Sequence, residues 1–194
     1  MWKLAGLALA VNMLAVPAMA STFSLQQTSP STINYVFGAD FGAFSATDNS
    51  QVDGSATGSL SAVPSFGCSV ADFAGFSAGS IALISRGTCT FQIKAQNALI
   101  AGAIGLILYN STGGLIAGTV GTFKGPMPVL NVTLALGTSL LQQTRQGPVV
   151  ISMVSDHSPA PVPLPATLPL LAAGLAGLGL AGRRRKKQAQ RAIA

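Results

Sequence analysis

The sequence predicts one compact α+β domain set between two terminal segments that do not belong to it. Three observations carry this: uncharged apolar stretches near both ends, four short apolar runs of strand character in the middle, and two stretches of helical periodicity interleaved with them. The order strand, helix, strand, strand, helix, strand, with short connections, suits a single folded layer, and about 140 residues are enough for one core.

From the N-terminus, Met1 to Ala20 has Lys3 as its positive start, an apolar run from Leu4 to Val16, and Ala18-Met19-Ala20 before Ser21. That is the pattern of a secretory signal peptide, with Ala18 and Ala20 at the cleavage site, and a helix is expected only for the leader itself. Residues 21–34 form a polar N-terminal segment. Up to about Ser65 small and polar residues alternate with short apolar groups such as Ile33 to Phe37 and Phe41 to Phe44, which predicts edge strands and turns.

Ile81 to Ile84 predicts a buried strand. Phe91, Ala95, Ala98 and Leu99 then fall on one face of a helix, with Thr90 as N-cap and Gly102 just past its end. Ile104 to Tyr109 predicts a second strand, closed by the turn residues Asn110 to Gly114. Val129 to Val132 predicts a third, entered after Pro126 and Pro128. Thr133 to Gln146 predicts a second helix ended by Gly147, although Gly137 lies within it. Val149 to Val154 is the last predicted strand. Residues 156–163 then carry Pro159, Pro161 and Pro163 and predict an extended spacer.

The chain has a formal net charge of +6 from 11 basic and 5 acidic residues, but the bases cluster at its ends. Lys3 and the six residues Arg183, Arg184, Arg185, Lys186, Lys187 and Arg191 leave four bases against five aspartates in the middle, a balance of −1. The basic surface that phosphate binding needs is absent there, so nucleic acid is not an expected partner.

Leu164 to Gly182 is uncharged and is followed at once by the basic run. At about 1.5 Å per residue it reaches roughly 28 Å, the thickness of a bilayer's hydrocarbon. This predicts a transmembrane helix with the basic run cytoplasmic and the central domain outside. Gly177 to Gly182 matches G-x-G-x-x-G, but no strand precedes it to make a dinucleotide site, and its glycines fit close helix packing in lipid.

The tail Val162-Pro163-Leu164-Pro165-Ala166, followed by an apolar helix and the cluster at Arg183, Arg184 and Arg185, resembles the PEP-CTERM class of exosortase sorting signals in its VPLPA variant. The resemblance spans residues 162–187, with 188–194 as a cytoplasmic tail. It implies an exosortase-type processing enzyme as partner, an inner-membrane-anchored precursor in a Gram-negative bacterium, and a final location at the cell surface or outside it. A permanent single-span anchor is the alternative.

Within residues 35–155, Gly67-Cys68, Asp72-Phe73, the run Ser80 to Phe91 with Arg86-Gly87-Thr88-Cys89-Thr90-Phe91, Lys94, Asn97-Ala98, Ala101-Gly102-Ala103, Gly105 and Tyr109-Asn110 together resemble the protease-associated (PA) domain. Pro128-Val129-Leu130, Gly137 and Leu140-Leu141 continue the match. The resemblance implies a β-rich barrel or sandwich flanked by two or three short helices. It also implies that the loop Arg86, Gly87, Thr88, with Asp72 nearby, presents a charge and backbone groups to a peptide. The alternative for Arg86 is an ion pair with Asp72, or capping of loop carbonyls.

Cys68 and Cys89 are the two cysteines of a chain that reads as exported, so a disulfide is expected, closing a loop worth about 3 kcal/mol. A nucleophilic thiol would lack a base, because the one histidine, His157, falls in the spacer. Ligands do not cluster as a zinc site requires. Asp48 to Gly54 has the wrong spacing for a calcium loop. Asn110-Ser111-Thr112 and Asn131-Val132-Thr133 match the glycosylation pattern by chance alone. No catalytic residue, metal or cofactor is therefore expected, and the protein is expected not to be an enzyme. It is expected to bind a peptide or a peptidase partner, with a ligand-free role in the extracellular matrix as the first alternative and an uncharacterised hydrolase as the second.

Overall fold

Two strands in the middle of the chain, Ile81–Ser85 (β5) and Gly105–Tyr109 (β6), are apolar at nearly every position because both faces of their sheet are covered. The computed structural model describes residues 21–44, 47 and 52–157. The remaining strands are Thr22–Ser29 (β1), Ile33–Asn34 (β2), Phe41–Ala43 (β3), Gly54–Ala62 (β4), Val129–Val132 (β7) and Val150–Asp156 (β8). The helices are Phe91–Ile100 (α1) and Leu134–Gln146 (α2), with a 3-10 turn at Val70–Phe73.

All eight strands join one sheet in the order β2-β1-β8-β4-β5-β6-β7-β3. The run β4-β5-β6-β7 is parallel, and the flanking pairs β4-β8, β8-β1, β1-β2 and β7-β3 are antiparallel. The sheet curls, bringing β1 and β3 into contact. This is a β-rich α+β half-barrel with two helices, in the class the sequence predicts.

Strand alternation sorts the core into two layers. On one face Ala82, Ile84, Leu106 and Leu108 meet Ala95 and Ala98 of α1, with Phe44, Phe73, Phe123 and Met127 closing the layer. On the other, Ile81, Leu83, Ile107 and Leu130 meet Leu140 of α2 together with Leu25, Ile151 and Met153 of the curled β1 and β8. Each such fully buried aliphatic side chain contributes about 1.5–3 kcal/mol.

The first helix begins as expected, since Thr90 Oγ1 accepts from Ile93 N at 3.3 Å, whereas Thr133, expected as the first residue of the second helix, instead caps it, its Oγ1 accepting from Leu136 N at 3.2 Å. Gly137, an unfavourable residue for a helix interior, has a packing reason. A Cβ built there would stand 2.1 Å from the Cβ of Tyr109, so only glycine lets α2 lie this close to β6.

The expectation of edge strands up to Ser65 holds for β2 and β3 but not for β1, which pairs with both β2 and β8, nor for β4, which lies in the middle of the sheet. Its small polar residues have a physical reason: Ala56 and Leu60 face the core while the alternate positions look outward, where Thr57 Oγ1 donates to Ser152 Oγ at 3.0 Å. The expected signal peptide, the proline-rich stretch past His157 and the apolar C-terminal stretch lie outside the described residues. No helix among the described residues is long and apolar enough to cross a membrane.

Candidate functional site

The loop between β5 and α1 is held from four directions. Cys89 is disulfide-bonded to Cys68, with the two Cα atoms 5.8 Å apart. Arg86 N donates to Tyr109 O at 2.8 Å, and Arg86 Nη1 donates to Asn110 Oδ1 at 3.0 Å. Cys89 N donates to Gly87 O at 2.8 Å, which tightens the tip. At Gly87 the φ of +131° favours glycine, and an added Cβ would also press on the Phe66 ring at 3.0 Å.

Thr88 adopts φ +65° and is exposed; among the described residues it is the one non-glycine with positive φ. A left-handed threonine costs about 1–2 kcal/mol and persists where the surroundings fix it. Arg86, Gly87 and Thr88 thus form a braced loop, half-buried at Arg86 and Gly87 and exposed at Thr88. The partner of Arg86 is the buried Asn110 and not Asp72, which corrects the alternative that paired the two charges. Asn110 Nδ2 also donates to Gly114 O at 3.0 Å, so one amide ties the Arg86 loop to the turn after β6.

Asp72 serves its own segment. Its carboxylate accepts from Cys68 N at 2.7 Å, Ser69 N at 3.3 Å and Ser69 Oγ at 3.2 Å. Desolvation works against its ionised form, but these donors outweigh it and hold the carboxyl below the usual range.

Two residues that the sequence names, Lys94 and His157, take places that it did not show. Lys94 is fully buried, and its Nζ donates to Phe66 O while lying 5.5 Å from the centroid of the half-exposed Phe66 ring. Burial pushes its pKa down from 10.5 to about 8, against the attraction of Asp72. Asn97 Nδ2 adds a 3.0 Å bond to Gly67 O, so α1 grips both carbonyls before Cys68. The signal for Lys94 is its place three residues after Phe91 and four before Ala98, on the face of α1 that turns inward.

The second of these is His157, which the sequence assigns to the spacer. The structure fixes it on the domain instead: its N–H donates to Asp53 Oδ1 at 2.9 Å, and its ring Nδ1 lies 2.5 Å from the same oxygen. The ring also meets Phe23 edge-on, with centroids 4.9 Å apart. β8 continues to Asp156, and the link to Asp53 spans a gap that sequence proximity cannot show. Of the other residues singled out, Ala18, Ala20, Val162, Pro163, Leu164, Pro165, Ala166, Arg183, Arg184 and Arg185 lie outside the described residues.

Residues 56–140 match the PA domain, and residues 161–186 match the PEP-CTERM protein-sorting motif. An aminopeptidase of Pseudomonas aeruginosa is 40% identical over 130 residues, covering 61% of this chain and 24% of that protein. A probable leucine aminopeptidase 2 of Aspergillus fumigatus is 37% identical over 105 residues, covering 52% of this chain and 21% of that protein. The chain therefore spans about a quarter of the length of these curated relatives.

Among solved structures, the aminopeptidase of Aneurinibacillus sp. strain AM-1 aligns with a TM-score of 0.57 and 28% identity, covering 72% of this chain and 32% of that one. A zinc aminopeptidase of Bacillus subtilis aligns with a TM-score of 0.50 and 25% identity, covering 71% and 31%. The expectation that the protein is not an enzyme does not stand against these relatives, which are named aminopeptidases and point to a peptidase. The lone-histidine reasoning behind it fails as well, because His157 is fixed beside a carboxylate. A zinc ion finds no fit among the described residues, where no three His, Cys, Asp or Glu side chains come together. The sorting motif marks an exported, exosortase-sorted protein, and the chain is accordingly a PA-domain protein that carries a PEP-CTERM sorting signal.

Proposed function

We propose that this protein takes part in aminopeptidase action outside the cell, with its PA domain engaging peptide at the Arg86-Gly87-Thr88 loop and the adjoining Phe66 surface. The observation that carries this reading is the 40% identity with an aminopeptidase over 130 residues, which covers 61% of this chain. Geometry supports it. A loop tied by a disulfide, a buried amide and a glycine-aromatic contact loses little conformational entropy when a ligand settles on it.

The half-exposed Phe66 ring offers an apolar contact beside that loop, and the partly exposed Arg86 guanidinium offers a charge. Together they suit a peptide with one apolar side chain and one carboxylate or carbonyl. In this reading the precursor is held at the inner membrane through Leu164 to Gly182 until a membrane enzyme acts near Val162 to Ala166.

The test uses the mature protein recovered from culture. Release of leucine from a leucyl anilide and from short leucine-ended peptides is followed for wild type and Arg86→Ala, with peptide binding measured in parallel. The expected result is turnover or saturable binding that Arg86→Ala weakens about tenfold, as for loss of one charge-assisted contact. Neither turnover nor binding across a broad peptide library would remove the proposal and favour a matrix role.

A further inference from the structure

An exposed aromatic patch lies where the chain leaves the domain. Val36 and Phe37, 59% and 51% exposed, occupy the link between β2 and β3. The Phe37 ring stacks on Phe23 with centroids 4.9 Å apart, and Phe23 meets the His157 ring at the same distance. His157 in turn is bonded through its backbone and its ring to Asp53. A continuous row of contacts thus runs from Phe37 to the last described residue.

Only residues 158–160 separate His157 from the start of the matched sorting motif at residue 161. Four Cα steps of chain reach at most about 14 Å. Whatever grips the motif must therefore approach this end of the domain. We propose that the Val36-Phe37 patch is a docking surface for the exosortase-type membrane enzyme that reads the sorting motif, so that the folded domain helps present its own cleavage site.

Charge favours this occupant over a lipid surface. Three of the five aspartates lie at this end: Asp40, whose Oδ2 accepts from Val36 N at 2.8 Å, Asp53 beneath His157, and Asp156 at the end of β8. Carboxylates around an apolar centre suit a protein surface with basic groups about an apolar pocket, and they oppose approach to an anionic headgroup layer. Exposed aromatic residues at the centre of such a patch are the side chains that dominate protein docking.

The proposal rests on the sorting reading of the tail, and the experiment separates the two. The full-length precursor is expressed in an exosortase-bearing Gram-negative host, and its conversion to the shortened form is followed by pulse-chase. Val36→Ser and Phe37→Ser are compared with Ile100→Ser, which removes a 68% exposed residue on α1. Protease resistance of the exported domain confirms that each variant folds. The patch variants are expected to be cleaved about fivefold more slowly or worse, with Ile100→Ser unchanged.

A flexible insertion of about twelve Gly and Ser residues after Ser158 is expected to narrow that difference, because the motif can then be reached without the domain. Wild-type rates in folded Val36→Ser and Phe37→Ser, or equal slowing by Ile100→Ser, would overturn the docking surface. Unimpaired cleavage after Pro163→Ala with Pro165→Ala would overturn the sorting reading itself, and docking with it.

Discussion

The ammonium of Lys94 donates to the carbonyl oxygen of Phe66, a hydrogen bond between the first turn of α1 and the segment that leads into Cys68. The lysine is 0% exposed, so the charge is carried into the core to hold one backbone oxygen. A buried charge with one strong acceptor is stabilised far less than it would be in water. The consequence is a domain whose stability depends on pH in the alkaline range.

Unfolded, Lys94 titrates at its ordinary 10.5; folded, at about 8. Between those values the unfolded chain binds more protons, so stability rises with pH, and below about 8 the contribution is flat. Urea unfolding is expected to show a gain of about 1–2 kcal/mol between pH 8 and 9.5, absent in Lys94→Met. Measurements should stop there, since Tyr35, raised above 10.0 by burial and by Asp40, begins to act in the opposite direction.

Asp72 gives the opposite edge. Its folded pKa lies below the ordinary 3.8, so its contribution is present above that value and is lost as pH falls through the folded one. Asp72→Asn is expected to be less stable than wild type at pH 7. The gap should close in acid, as followed by thermal unfolding from pH 7 to pH 2.

Reduction of the Cys68–Cys89 bond, or Cys89→Ser, is expected to cost about 3 kcal/mol by freeing a loop with a sequence separation of 21 residues. Hydrogen exchange should rise first in residues 66–73 and 86–90, since α1, β5 and β6 keep their own core contacts.

Gly137→Ala is expected to cost roughly 2–3 kcal/mol or more, because its methyl group would fall on Tyr109 and α2 would have to lift from β6. In the Tyr109→Ala background the Cβ of residue 109 remains, so only part of the loss should be recovered. A double-mutant cycle by denaturant unfolding measures the coupling.

The candidate site was legible in part. Arg86, Gly87, Thr88 and the two cysteines stand close together in sequence or are paired by export, so their grouping is a local fact. Asn110 as the partner of Arg86 was not, because it becomes a neighbour only when β6 pairs with β5. The pairing of Lys94 with Phe66 was missed for a related reason. A lysine within a helix reads as solvated until a carbonyl from elsewhere in the chain is set against it.

By itself the sequence determined the elements whose signals are short: β5 to β8 from apolar runs, α1 from its periodicity and threonine cap, α2 from the stretch that Gly147 closes, and the C-terminal sorting motif from its residues, apolar length and charge. Tertiary structure decided which strands are neighbours. β4 looked like an edge because one face of it is polar, yet β8 returns from the end of the domain to pair with both β4 and β1. Alternation reports which side of a strand is wet, and says nothing of what bonds along its edges. That same return of β8 fixes His157 against Asp53, joining residues 104 positions apart and turning a residue of the predicted tether into part of the folded surface.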